Sequence, residues 1–263
     1  ILGGGSNILL TKNINGLVIH NQIKGINIKE ETENQVLVEI GAGEVWDEVV
    51  NWSVENNLYG IENLSLIPGY TGAAPIQNIG AYGTEFKDVF QELEAINLET
   101  VENTKFNKSD CRFGYRNSIF KNKLKGKFII TRLKIRLSKK KKINISYKAL
   151  CEKFKNTNNK NLTCKNIREK VMEIRKSKLP DPETIGNAGS FFKNPIITKK
   201  TLSDLQKTNS KIPFFKKNGE IKIPAAWLIE KCKWKGYLEK TCGVYNKHSL
   251  ILINRGNASG KEI

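Results

Sequence analysis

The chain has 263 residues, 39% of them hydrophobic and 27% charged, with a net charge of +18; at about 150 residues per domain it makes one or two domains, with a core large enough to enclose a small-molecule site. A mean hydropathy of −0.43 and apolar runs no longer than stretches such as 249–253 exclude a disordered or collagen-like chain and any helix of the ~20 apolar residues needed to cross a membrane. Five cysteines, an odd number without a Cys-x-x-Cys pair, argue against a zinc ribbon and a secreted disulfide scaffold and leave reduced thiols in a cytoplasmic protein as the expectation.

Ile1-Leu2-Gly3 opens in mid-pattern and Lys261-Glu262-Ile263 ends as abruptly, so truncation at both ends is expected. Gly3-Gly4-Gly5-Ser6-Asn7-Ile8 imitates a dinucleotide loop, but the third glycine of that fingerprint falls on Ile8, and Lys24 and Gly25 stand where its acidic residue belongs. A Rossmann fold is therefore disfavoured, although the loop can still cradle a phosphate through its N–H groups. Residues 36–40 alternate as a strand running into Gly41-Ala42-Gly43. Residues 44–57 place Val45, Trp46, Val49, Val50 and Val54 at helical spacing, with Glu44 and Asp47 near the start and Gly60 beyond the end; both tryptophans read as core. Residues 68–83 hold four Gly and two Pro among small, uncharged residues, a composition that brings backbone N–H groups close to a ligand or packs a tight turn.

Residues 93–98 and 127–137 alternate as strands, the second with a slip near Thr131 that a bulge would explain. Residues 121–178 carry 17 Lys and 4 Arg against Glu152, Glu169 and Glu173, which accounts for the whole charge excess. Such a face attracts polyanions, but Lys, Ile and Asn together make 97 of the 263 residues while Arg numbers seven, so AT-rich codon usage is a sufficient alternative. Residues 166–177 are helical, and Leu179-Pro180-Asp181-Pro182 breaks them at an expected domain boundary. A helix from Lys200, another from Pro224 to Cys232 with the proline in the first helical position, and a strand at 249–253 complete an α+β chain without internal repeats.

Several catalytic patterns fail. Gly256 to Lys261 imitates a P-loop, but its spacing is one residue short and Glu262 replaces the magnesium-binding hydroxyl. Two histidines in all leave little room for a Ser-His-Asp triad; His20 reads as structural, and His248, just before the last strand, is either structural or a substrate contact. No metal-ligand cluster occurs. Two segments hold instead: 111–118, which mixes aromatics with the scarce arginines, and 186–195, which sets a serine in a glycine-rich turn before two phenylalanines.

In chain order, LGGGSNILL at 2–10, IPGYTGAAPIQNIGAYG at 67–83, CRFGYRNSIFK at 111–121, KLPDP at 178–182, GNAGSFFKNP at 186–195 and AAWLIEKCKWKG at 225–236 resemble the UDP-N-acetylenolpyruvoylglucosamine reductase family, and Tyr147 in INISYKAL resembles its tyrosine-loop branch. The resemblance implies an oxidoreductase of peptidoglycan precursor synthesis that uses FAD and NADPH to reduce the enolpyruvyl ether on a UDP-sugar. It implies an α+β fold with a two-subdomain, non-Rossmann FAD-binding region: a remnant of the first subdomain at 1–27, the second at 28–179, and a substrate-binding domain at 180–263. By the same resemblance Gly3, Gly4, Gly5, Ser6, Asn7, Gly69, Gly72, Ala73, Ile79 and Gly80 contact FAD. Arg116 stabilises developing charge, Ser190 donates the proton, and Tyr82, Tyr115, Tyr147, Lys178 and Asn194 contact substrate. A cytoplasmic monomer without membrane insertion or nucleic-acid partner is expected. Ala73 and Ala74 replace serines frequent in the family, and the family's catalytic glutamate and first strands lie outside residues 1–263. A basic nucleic-acid-binding protein using 121–178 and a flavin-binding relative without reductase activity are the competing expectations.

Overall fold

The computed structural model describes residues 1–158, 161–217 and 219–263. It divides into two compact units, Ile1–Ser6 with Gly16–Arg175, and Asn7–Asn15 with Lys176–Ile263.

In the first unit the chain runs through β1 (Ile26–Glu31), β2 (Gln35–Gly41), α1 (Trp46–Glu55), the short hairpin β3 (Gly80–Ala81) and β4 (Thr84–Glu85), β5 (Phe90–Asn97), β6 (Asn103–Asn107), β7 (Phe128–Ser138), α2 (Lys148–Lys153) and α3 (Cys164–Lys178), the last of which reaches the unit boundary. Five strands form one sheet in the order β1-β2-β7-β5-β6, antiparallel at every step. This excludes the parallel, doubly wound sheet of a Rossmann domain, as the broken glycine fingerprint leads one to expect.

The alternation read from the sequence sorts the two faces of this sheet. Val36, Val38 and Ile40 of β2, Phe90 and Leu93 of β5, and Leu133, Ile135 and Leu137 of β7 enter one core with Trp46, Val49 and Val50 of α1. The opposite face carries charges paired across strands, among them Lys134 with Glu92 at 3.0 Å and Lys29 with Glu39 at 3.0 Å. The expected slip in β7 is a bulge: Glu94 pairs with Arg132 but Ala95 pairs with Ile130, so Thr131 is the extra residue.

Helix α1 departs from the expected ends. It starts at Trp46 and stops at Glu55, with Asn57 in the left-handed region at φ 54°. Glu44 does not serve the helix start; its carboxylate accepts the Gly25 N–H at 2.6 Å. Trp46 is core, as expected, with its indole N–H donated to Leu64 O at 3.1 Å. Asp47 takes both arms of the Arg168 guanidinium at 2.7 and 2.9 Å and the Leu66 N–H at 2.6 Å. This fork ties α1 to α3 and to the loop after Leu64. A smaller core of Leu150, Phe154, Leu162, Ile167, Val171 and Ile174 fills the space between α2 and α3, with Tyr82 packed against it.

The second unit contains β8 (Gly186–Ser190), β9 (Ile196–Ile197), α4 (Lys199–Thr208), β10 (Phe215–Lys217), β11 (Glu220–Lys222), α5 (Ala225–Lys231), β12 (Leu238–Glu239), β13 (Cys242–Val244) and β14 (Ile251–Asn254). Two antiparallel sheets result, β12-β13-β14-β8 and β10-β11-β9. Leu202, Ile212, Ile221 and Ile223 make one small core and Tyr245, Ile251 and Ile253 another. Pro224 sits at the N-cap of α5, not inside its first turn, while Thr198 caps α4 by accepting the Thr201 N–H at 3.1 Å. Among the described residues no helix is long and apolar enough to cross a membrane.

Burial pushes the Asp47 carboxyl up, but the Arg168 fork and the Leu66 N–H outweigh it and hold the group below its ordinary value. A carboxylate with a lowered native pKa stabilises the fold fully above its unfolded value of about 3.9 and loses that contribution as the pH falls through the native value. Asp47→Asn is therefore expected to cost about 2–3 kcal/mol at neutral pH, because it leaves the Arg168 charge buried and uncompensated. Urea melts of the two proteins should differ at pH 7 and converge in acid.

Candidate active site

In the first unit the glycine-rich segments of the sequence meet at backbone distance. A Cβ on Gly4 would stand 3.3 Å from the Gly69 Cα, and Gly69, at φ +106°, would thrust a Cβ to 2.8 Å from Ser6 Oγ. Among the described residues nothing accepts the backbone N–H of Gly3, Gly4, Gly5, Ser6, Gly69 or Tyr70. The Lys24 ammonium lies 5.6 Å from the Tyr70 ring centroid, and His20 stacks on the same ring at 5.6 Å. The result is a turn rich in unengaged donors, which suits an anion such as a pyrophosphate; the Lys24 ammonium beside it is paired with the Glu44 carboxylate at 3.3 Å.

The other proposed cofactor residues are placed differently. Gly72 gives its N–H to Ala42 O at 2.8 Å, Ala73 to Tyr70 O at 2.9 Å, and Ile79 to Ala74 O at 3.1 Å. Ile79 and Ala74 put their side chains into the core, while Ala73 is exposed. The glycine density of 68–83 thus overstates its donors, most of which hold the loop itself together. Asn7 falls in the second unit.

Arg116 projects from the turn between Gly114 and Asn117, at φ 51°. Its Nη2 donates to Gly80 O, and its guanidinium lies 5.3 Å from the Tyr115 ring centroid. No described residue accepts from Nη1 or Nε, so one edge is tethered and the other keeps its donors. Two buried side chains hold this turn on the glycine-rich loop. Asn78 donates to Gly114 O at 3.0 Å and accepts the Lys87 N–H at 2.9 Å, and Ser118 donates to Ile76 O at 2.6 Å. Sequence reasoning missed both, although both lie inside its quoted motifs.

Tyr82, at φ 48°, tops the β3–β4 hairpin and meets Tyr147 edge to face, centroids 5.2 Å apart. Its phenol is raised above the ordinary value by burial and shares a hydrogen bond with Arg175. Arg175 was also missed. Burial lowers its pKa, and its Nε is buried without a hydrogen-bond partner among the described residues. Its signal was present: it is a scarce arginine one helical turn before the KLPDP segment.

In the second unit Ser190 ends β8. Its strand pairs Ile251 with Ser190 but Ile253 with Asn187, a bulge that contains Gly189 at φ +70°. The turn is held by Asn187, which accepts the Gly189 N–H at 3.0 Å and donates to Ile185 O at 2.9 Å. The exposed Ser190 hydroxyl has no hydrogen-bond partner among the described residues, so it is not what shapes the turn. His248 accepts the Leu250 N–H at 3.3 Å through Nδ1 and stands three residues before Ile251, the ladder partner of Ser190. Asn194 Oδ1 takes the Ala225 N–H at the start of α5 at 2.9 Å. Lys178 is exposed at the end of α3. No group of three or more His, Cys, Asp or Glu gathers to hold a metal among the described residues.

Residues 1–100 match the profile of an FAD binding domain, and residues 181–263 match that of the UDP-N-acetylenolpyruvoylglucosamine reductase C-terminal domain. The chain is 48% identical to the UDP-N-acetylenolpyruvoylglucosamine reductase of Flavobacterium johnsoniae, over all of this chain and 79% of that one. It is 48% identical to that of Amoebophilus asiaticus and 40% to that of Pseudomonas aeruginosa, each over all of this chain and 78% of the relative. The crystal structure of the reductase from Thermus caldophilus superposes with a TM-score of 0.65 at 19% identity, covering 99% of this chain and 76% of that one, a likeness of fold. The open donors of residues 3–6 and 69–70 fit the pyrophosphate of FAD. Gly69→Ala should strain that crossing by about 1–3 kcal/mol and weaken flavin binding, which a titration followed by flavin fluorescence would measure beside a thermal melt.

Proposed function

The chain belongs to the UDP-N-acetylenolpyruvoylglucosamine reductase family, and on that footing we propose that it reduces the enolpyruvyl ether of UDP-N-acetylglucosamine to UDP-N-acetylmuramate with NADPH, Arg116 and Ser190 being its reacting side chains. The observation that carries the reading is the turn of unengaged N–H donors at residues 3–6 and 69–70, built into a chain of this family. Bound FAD supplies the hydride relay from NADPH to the substrate double bond.

Hydride arrival at the terminal carbon leaves negative charge on the neighbouring carbon and its carboxylate. Arg116 stabilises that charge where it develops; its tether to the Gly80 carbonyl fixes the guanidinium in advance, so little reorganisation accompanies the reaction. Ser190 then gives its hydroxyl proton to the carbon. A hydroxyl is a weak acid, but an enolate-like carbanion is a strong base, so the transfer runs downhill. What supports this role is the bulge that presents Ser190 and the absence of any competing bond to its hydroxyl among the described residues.

Tyr82, Tyr115, Tyr147, Lys178, Asn194 and His248 contact the UDP-sugar in this reading. Lys178 contributes a positive charge for the diphosphate. Asn194 has committed its oxygen to α5 and so offers its amide hydrogens. The reading also makes the protein cytoplasmic and independent of nucleic acid. Within the basic stretch 121–178, Arg168 is engaged by Asp47, Lys134 by Glu92, and Lys153 and Lys170 by Glu173, which leaves a smaller field than the composition implies.

Three outcomes test these assignments. Arg116→Lys keeps the charge but loses the planar fork, and should raise the barrier by about 2–4 kcal/mol with little change in melting temperature; a kcat within a few-fold of the parent would rule out the carboxylate role. With oxygen excluded, the FAD-loaded enzyme should oxidise more than one NADPH per flavin only while the enolpyruvyl sugar is present. In Ser190→Ala, NADPH should bleach the flavin at the parent rate and reoxidation by the sugar should become much slower. Equal slowing of both halves would remove Ser190 from proton donation, and continued anaerobic NADPH turnover without the sugar would overturn the function.

A further inference from the structure

The glycine turn at residues 3–6 is tied down at one end only. Leu2 gives its N–H to Ile19 O at 2.8 Å and takes the Asn21 N–H at 2.9 Å. Past Leu2, residues 3–6 make no hydrogen bond of their own among the described residues. Three consecutive glycines without such a bond have more backbone freedom than any other residues would. What they meet is the ring of Tyr70. A Cβ on Gly3 would stand 3.6 Å from Tyr70 Cγ and Cδ2, and one on Gly4 would stand 3.4 Å from Cδ1 and Cε1. One ring therefore spans both residues, with an edge toward each.

The ring is secured from its own side. Tyr70 bridges to Val45, with Gly69 O accepting the Trp46 N–H at 2.9 Å and the Thr71 N–H going to Glu44 O at 2.8 Å, so its backbone is fixed to the start of α1. His20, the bridge partner of Leu2, stacks on the ring with centroids 5.6 Å and planes 22° apart. The Tyr70 hydroxyl has no hydrogen-bond partner among the described residues, so the side chain contributes packing and not a polar bond. We propose that Tyr70, together with His20, is a positioning residue for the flavin: its ring holds the turn 3–6 against 69–70 and keeps the unengaged N–H donors of both gathered for one pyrophosphate. This rests on the reading of that turn as the pyrophosphate site. A turn already ordered removes the entropy of fixing its glycines from the binding step, so the effect belongs in flavin affinity and not in hydride or proton transfer.

The test is equilibrium dilution of the FAD-loaded protein, with flavin fluorescence reading the dissociation constant. Tyr70→Ala should raise the constant about tenfold, while Tyr70→Phe, which keeps the ring, should stay within about twofold of the parent. His20→Ala, at an exposed position, should raise it about threefold, and less than about 1.5-fold further in a Tyr70→Ala background, because the stack is already gone. At saturating FAD the kcat of His20→Ala should lie within about twofold of the parent. His20→Ala decides the matter if Tyr70→Ala does not fold. An unchanged constant in the variant that folds, a Tyr70→Phe as weak as Tyr70→Ala, full additivity of the two alanine substitutions, or a His20→Ala turnover that saturating FAD does not restore would overturn the proposal. A parental constant in Tyr70→Ala beside a raised one in Gly69→Ala overturns the positioning role alone; parental constants in both overturn the placement of the pyrophosphate at this turn and the proposal with it.

Discussion

A chain that passes through a protein interior without helix or strand must still find a partner for its backbone N–H and C=O groups. In this protein that constraint falls on residues 61–83, which run between α1 and the sheet with only short turns. Some of their partners are main-chain groups, as for Gly72, Ala73 and Ile79, and others are polar side chains. Trp46 serves Leu64 O, Asp47 the Leu66 N–H, Thr71 Oγ1 bonds Glu44 O at 3.1 Å, and Ser118 serves Ile76 O. Asn63 and Asn78 reach outward from the loop to Tyr82, Asn144 and Gly114. Removing any of these side chains leaves a desolvated backbone group behind, which costs more than the bond itself contributes. The loop is therefore rigid for the same reason that it is irregular.

That rigidity is what the proposed chemistry needs. Arg116, Tyr82 and Asn78 all occupy the left-handed region, where a side chain with a Cβ is held only if its surroundings over-determine it. The surroundings do so through the Asn78, Ser118 and Arg116 bonds between the two motif loops. On Ser190 the same effect is reached with a different device: a bulge at the end of β8 turns the hydroxyl out of the ladder. In both places the fold aims a side chain of the proposed chemistry by breaking regular structure and then securing the break with side-chain amides.

Charge is organised less economically. The sheet face away from the core pairs Lys and Glu across strands, and such exposed pairs contribute little individually. The Asp47–Arg168 fork differs because both groups are largely withdrawn from water, and it joins α1, the 62–66 turn and α3, the helix that also carries Arg175. One ion pair thereby ties α1 to the helix that brings Arg175, whose Nε has no hydrogen-bond partner among the described residues, beside Tyr82.

The sequence by itself determined the strand alternation of β2, β5 and β7, the Thr131 bulge, the amphipathic helices α1 and α3, the absence of a Rossmann domain, and the motifs that mark the family. Each of these is written in neighbouring residues, where periodicity and turn chemistry act over a few positions. Only the tertiary structure decided which glycine-loop N–H groups stay open, because Gly72, Ala73 and Ile79 lose theirs to partners that the folded loop provides. It alone moved Glu44 from helix start to the Gly25 N–H, and it alone revealed that Asn63, Asn78, Ser118 and Arg175 bond the segments that carry the candidate site. Asn63, Asn78 and Ser118 each have a partner 36 to 81 residues away, and a hydrogen bond over that separation leaves no local pattern in the chain. It exists only once hydrophobic burial has brought the segments together.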